Sequence, residues 1–127
     1  MAELRVELGD RSYSIVIGAD MLKGLGERLK GLGFSRSISL VSNPTVHGLY
    51  GKIVEDSLKD ANFSVSSIII PDGEEYKNLL WASNVYGELL KQRLDRTSAL
   101  IALGGGVIGD ITGFVASTYM RGISFVQ

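Results

Sequence analysis

Ala99-Leu100-Ile101-Ala102-Leu103-Gly104-Gly105-Gly106-Val107-Ile108-Gly109-Asp110, running on into Ile111-Thr112-Gly113-Phe114, decides how the chain is read. A short apolar run stops at three glycines, and a helix-period pattern begins directly after them. This predicts a buried strand, a tight turn and a helix whose free N–H groups face out of that turn. Glycine has no Cβ to hold a ligand away from the backbone. A helix N-terminus adds unpaired donors and the positive end of a dipole, which together suit a phosphate group. Gly104, Gly106 and Gly109 also meet the spacing G-x-G-x-x-G, and the strand–turn–helix context supports reading it as a diphosphate cradle. Tight packing competes with that reading, because Gly105, Gly109 and Gly113 recur every fourth residue and would let another element come close. The turn also comes late in the chain, whereas the usual dinucleotide fingerprint follows the first strand of its domain.

Working outward, strands and helices alternate. Leu4 to Leu8 and Tyr13 to Ile17 flank a Gly9-Asp10 turn and predict an N-terminal β-hairpin. Asp20 is placed to cap a helix with Leu22, Leu25, Leu29 and Leu32 on one face, closed by Gly31 and Gly33 and weakened by Gly24 and Gly26. Ile38 to Val41 reads as a strand, followed by a turn at Asn43-Pro44 and a helix buried through Val46, Tyr50, Ile53, Ser57 and Ala61. Val65 to Ile70 is the next strand, stopped by Pro71-Asp72-Gly73. Glu74-Glu75 then opens a helix with Leu79, Ala82, Tyr86 and Leu89 inside. The strand from Ser98 feeds the glycine turn and a helix from about Val107 to Tyr119, with Ile111, Phe114, Val115 and Thr118 as its stripe. Ile123 to Val126 is a last strand. The fold class is α/β: a Rossmann-like, mostly parallel sheet with helices on both faces. Ligands bind such sheets at the carboxyl ends of the strands, where Asn43, Asp72 to Lys77 and Gly104 to Asp110 all fall.

The totals suit one soluble domain, residues 1–127, with 45% apolar and 21% charged residues. A net charge of −1 gives no electrostatic case for nucleic acid or an acidic membrane, and no apolar run reaches spanning length. The absence of cysteine excludes disulfides and thiolate metal sites and is compatible with a cytoplasmic location.

Several residues have both a plain and a functional reading. Asp110 is a first-turn acid favoured by the helix dipole, or a partner for ligand hydroxyls. Glu74 and Lys77 form an i, i+3 pair, or bind a ribose with Lys77 steadying the carboxylate. Asn43 is a turn residue whose amide could meet a sugar hydroxyl. Arg121, past a helix end, caps carbonyls or holds an anionic substrate. His47 has no second ligand at metal spacing and reads as structural, and Trp81 and the tyrosines read as core. There is no nucleophile triad or metal cluster, so no catalytic residue is expected in this chain.

Gly104 to Asp110, with Thr112 to Gly122, closely resembles 3-dehydroquinate synthase, as do Pro71 to Lys77 and Tyr13 to Gly18. The resemblance covers the whole chain but only the amino-terminal, nucleotide-binding part of the family. It implies an NAD-dependent, phosphate-eliminating cyclase of the shikimate pathway that turns 3-deoxy-D-arabino-heptulosonate 7-phosphate into 3-dehydroquinate, with a divalent metal (zinc or cobalt). By position, Gly105, Gly106 and Val107 would meet the NAD diphosphate, and Gly109 and Asp110 the nicotinamide end. Asp72, Gly73, Glu74 and Lys77, with Asn43 beside them, would hold the adenosine ribose, and Arg121 the substrate phosphate, across a homodimer. The family's threonine pair, lysines and Glu/His/His metal ligands fall beyond Gln127, so the chain reads as a cofactor-binding module that is inactive alone. A related cyclase of the 2-deoxy-scyllo-inosose synthase kind, or a non-catalytic nucleotide-binding module, is the alternative.

Overall fold

Alternate residues of the central apolar runs bury into two different cores, and this separation builds the molecule. The computed structural model describes residues 1–127. Strand β3 (Ser37–Ser42) pairs in parallel with β4 (Ser64–Ile69) on one side and β5 (Ala99–Leu103) on the other, and β6 (Ser124–Val126) extends the sheet from β5. The order is β4-β3-β5-β6. Ile38 and Leu40 join Ala99 and Ile101 in one core, under α1 (Leu25–Leu29) and α3 (Lys52–Asp60), which contribute Leu29, Val54 and Leu58. Val41, Leu100 and Ala102 join the other core, under α4 (Leu79–Lys91) and α5 (Gly106–Thr118). Strands β1 (Ala2–Val6) and β2 (Tyr13–Ile17) form the expected hairpin as a separate antiparallel sheet. Its apolar side chains Leu4, Ile15 and Ile17 are exposed.

Four local expectations fail for physical reasons. Asp20 does not cap a helix: its φ is 54°, and α1 begins at Leu25 without a side-chain cap. Ser57 on α3 supplies the missing acceptor, taking the Gly26 N–H at 2.9 Å. The helix stripe after Asn43 slips as well. A single-turn α2 (Pro44–Val46) leads into a π-helical turn at His47–Gly51, which inserts a residue and brings Val54 and Leu58 into the buried face beside the expected Ser57 and Ala61. Tyr50 and Ile53 are consequently exposed. Glu74-Glu75 opens only a 3-10 turn (Glu74–Tyr76). Helix α4 starts later, where the Asn78 side chain accepts from the Trp81 N–H at 3.0 Å. That start leaves Leu79 exposed and makes Ala82, Val85 and Leu89 the buried face. On α5 the buried face is Ile108, Ile111, Thr112, Val115 and Ala116, while Phe114 and Thr118 are exposed. Trp81 is partly buried, edge-on to Tyr76, and buried Tyr119 donates its hydroxyl to the Leu94 carbonyl.

His47 is structural, as expected. Its Nε2 lies 2.7 Å from Glu55 Oε1, which also accepts from Ser67 Oγ on β4 at 2.9 Å. Partial burial opposes ionisation of Glu55, but these hydrogen bonds outweigh it and hold the carboxyl below its ordinary value of 4.5. A depressed carboxyl stabilises the fold above the unfolded pKa and loses that contribution as pH falls through the folded one. Glu55→Gln is therefore expected to cost about 1 kcal/mol at pH 7. The gap to the parent chain should close below about pH 4. Urea titrations at both pH values check this, and a gap that is constant or widens in acid contradicts it.

Candidate functional site

The sheet order fixes where a ligand can enter. The chain leaves β3 towards β4 on one side, then returns past β3 to β5 on the other, so the order reverses between β3 and β5. Their carboxyl ends diverge there into loops that open a crevice, the usual ligand position in parallel sheets. Ser42 Oγ ties the two ends together by donating to the Leu103 carbonyl at 2.6 Å. Asn43 and Gly104 are the next residues along.

The glycines of the turn divide into two kinds by what surrounds them. A Cβ on Gly104 would sit 2.9 Å from Ile108 Cβ, so Gly104 lets the turn close against its own helix. A Cβ on Gly113 would meet the Phe125 ring at 3.2 Å, and one on Gly109 would meet the Gln127 amide at 2.6 Å. These two glycines seat Phe125 of β6 and Gln127 just beyond it along α5. Gly105 and Gly106 differ: an added Cβ at either meets nothing within 4 Å. Gly105 is the N-cap of α5, and no side chain caps that helix. Gly105 and Gly106 are exposed, and no side chain takes the first-turn N–H groups of this helix of 13 residues. Val107, half-buried, packs on the core behind them.

An acid beside such a cradle would repel an anion, and the structure supplies the remedy. Lys77 Nζ lies 2.7 Å from Asp110 Oδ2 and 3.5 Å from Glu74 Oε1. The hydrogen bond and charge of Asp110, and then the charge of Glu74, hold the ammonium above its ordinary range. Lys77 thus steadies Asp110 more closely than the Glu74 expected from spacing, and it bridges the loop after β4 to the second turn of α5; because the helix starts at Gly106, Asp110 is not the first-turn acid expected from the sequence. In the same loop Gly73 has φ 128°, a conformation that L side chains rarely adopt. Asp72 accepts from Thr45 Oγ1 at 2.9 Å. Asn43 caps α2 through Oδ1, which accepts from the Val46 N–H at 2.8 Å, leaving its amide NH2 free.

Ten of the eleven residues singled out from the sequence therefore fall on one rim. The eleventh, Arg121, lies past the far end of α5, roughly 20 Å along the helix from the cradle. It has φ 65° and makes no hydrogen bond or ion pair; the Gly122 and Ile123 N–H groups take the nearby carbonyls instead. Periodicity missed Asn78, Leu79 and Phe114. With Lys77, Ala82, Asp110 and Ile111 they line a cleft of about 310 Å³ between the starts of α4 and α5. An Asn directly before an apolar helical run was the available signal for Asn78.

Known proteins resemble the chain in sequence and in fold. The family model described as 3-dehydroquinate synthase N-terminal matches residues 67–127. The chain is 55% identical over its whole length to the 3-dehydroquinate synthase of Thermodesulfovibrio yellowstonii, of which it covers 35%. It is 50% identical over 126 residues to that of a Picosynechococcus species, covering 34%. Among solved structures, 2-deoxy-scyllo-inosose synthase complexed with carbaglucose-6-phosphate, NAD+ and Co2+ superposes with a TM-score of 0.86 over 98% of this chain and 34% of that one, at 22% identity. The 2-epi-5-epi-valiolone synthase of Streptomyces hygroscopicus, with NAD+ and Zn2+ bound, gives a TM-score of 0.76 at 25% identity over 94% of this chain and 33% of that one. The chain spans about a third of the length of the relatives it matches, and its similarity is to the amino-terminal part of 3-dehydroquinate synthases.

Proposed function

We propose that residues 1–127 form the NAD-binding domain of a 3-dehydroquinate synthase, a cytoplasmic enzyme of aromatic amino-acid biosynthesis in the shikimate pathway. The open, uncapped start of α5 at the sheet's switch point carries this reading. The backbone N–H groups of Gly105, Gly106 and Val107 donate to the NAD diphosphate. Asp72 and Glu74 accept from the adenosine ribose hydroxyls on the Gly73 turn, and the free Asn43 amide donates beside them. Asp110, its charge balanced by Lys77, accepts from the ribose at the nicotinamide end, and Gly109 lets the last strand close behind it. The cleft at Asn78, Leu79 and Phe114 shelters the flat ring from water. When bound, NAD supplies a hydride acceptor that later returns the hydride, so that 3-deoxy-D-arabino-heptulosonate 7-phosphate becomes 3-dehydroquinate and phosphate without net oxidation.

No three His, Asp or Glu side chains stand together in a way that could hold a metal. A zinc or cobalt ion of the complete enzyme would, as the resemblance implies, take its ligands from residues outside this chain. Arg121, remote from the cradle, fits a substrate phosphate presented by another copy, in keeping with a homodimer. No helix is long and apolar enough to cross a membrane, and the balanced charge offers nothing to nucleic acid. Identity of 55% to 3-dehydroquinate synthase, against 22% to 2-deoxy-scyllo-inosose synthase, favours the first substrate over the second.

Calorimetric titration with NAD tests the reading. The expected result is weak, saturable binding with one site per chain, competed by ADP and accompanied by no turnover of the sugar phosphate. A chain with no measurable affinity for NAD or ADP sinks it.

A further inference from the structure

Thr45 contributes no group to the ligand in the account above, yet it is the sole side-chain partner of Asp72. Its hydroxyl donates to Asp72 Oδ2 at 2.9 Å, joining the loop after β3 to the loop after β4. Each side of this contact has a distinct character. On one side, Thr45 is rigidly held. Asn43 caps α2 and Pro44 fills its first position, which fixes the backbone, and β-branching restricts the Thr45 rotamer. On the other side, Asp72 is loosely held. It is exposed, forms no ion pair, and precedes a glycine at φ 128°. A carboxylate on such a turn samples several rotamers, and a ligand that needs one of them must bear the ordering entropy.

We infer that Thr45 is a positioning residue for the adenosine-ribose subsite: it fixes one oxygen of Asp72 so that the other faces the ribose hydroxyls. The inference rests on the NAD reading above and deepens it. Asn43-Pro44-Thr45 then works as a unit, in which a cap and a proline hold a threonine and the threonine holds an acid 27 residues away. The bond also sets the spacing of the loops after β3 and β4.

The test is NMR titration of the 127-residue chain with ADP, which carries the adenosine ribose, and with inorganic pyrophosphate, which engages the cradle alone. Thr45→Val is expected to weaken ADP about fivefold, the worth of one hydrogen bond, while leaving pyrophosphate unchanged. Thr45→Ser, which keeps the hydroxyl, should restore most of the ADP affinity. If Thr45→Val binds ADP as the parent does, or loses pyrophosphate to the same degree, the assignment is overturned. Should Thr45→Val fail to fold, Thr45→Ala is combined with Asp72→Asn. A double variant no weaker for ADP than Asp72→Asn alone upholds the coupling, and losses that simply add refute it. A parent chain that binds ADP and NAD while Thr45 proves silent refutes only this inference. A parent chain that binds neither refutes the NAD reading and this inference with it.

Discussion

Gly106→Val is expected to fold normally and to lose the dinucleotide. Gly106 is the first residue of α5, its φ is negative, and an added Cβ meets nothing within 4 Å. The protein therefore has room for the side chain, and a β-branched residue there costs less than about 1 kcal/mol in helix propensity. The space it fills is where a diphosphate would approach the Gly106 and Val107 amides. Losing two main-chain bonds to charged oxygens, each worth roughly 1.5–3 kcal/mol, should weaken NAD by about a hundredfold or more. Gly104→Val makes the contrast. Its Cβ would collide with Ile108 Cβ, so any loss of affinity there should follow a loss of folding. Calorimetry paired with thermal melting separates the two cases. If Gly106→Val binds NAD as tightly as the parent, the amides at the start of α5 are not the cradle.

That contrast also shows how far the sequence could be read. The strand–glycine–helix stretch at Ala99 to Phe114 announced the parallel sheet and the tight turn at its carboxyl end, because an apolar run and a helical period meet there across residues with no side chain. It could not say which glycine served which purpose. That depends on neighbours distant in sequence: Phe125 on Gly113, Gln127 on Gly109, and open space at Gly105 and Gly106. Lys77 was legible in part. The pair with Glu74 that spacing gives does form, at 3.5 Å, but only the fold brings Asp110 within 2.7 Å. Periodicity failed most plainly at the π-helical turn, where one inserted residue moved Tyr50 and Ile53 out of the core. Arg121 was legible as a carbonyl cap or an anion holder past a helix end, but not as a cation without a protein partner on the opposite rim of the sheet.

Gly26→Ala is expected to produce the opposite phenotype: a large loss of stability and little change at the cradle. Helix α1 has five residues, far below the roughly 12–15 at which an isolated helix holds in water, so packing alone keeps it helical. The glycine that weakens it in sequence terms is what permits that packing. A Cβ on Gly26 would lie 2.1 Å from the Ser57 carbonyl oxygen and 2.7 Å from Ala61 Cβ, so α1 would have to back away from α3. Backing away also breaks a two-way contact. Ser57 Oγ accepts from the Gly26 N–H and donates to the Lys23 carbonyl, both at 2.9 Å, and it supplies the acceptor that Asp20 does not. Leu29 would then leave the core it shares with Val54 and Leu58. Overpacking of this kind costs about 3 kcal/mol or more. It should appear as a lower urea midpoint with the slope unchanged. Because α1 and α3 cover the face of the sheet opposite α4 and α5, NAD affinity measured well below the midpoint should match the parent. A wild-type urea midpoint for Gly26→Ala would mean that α1 does not sit against α3, and a lost affinity in folded protein would mean that the two faces are coupled through the sheet.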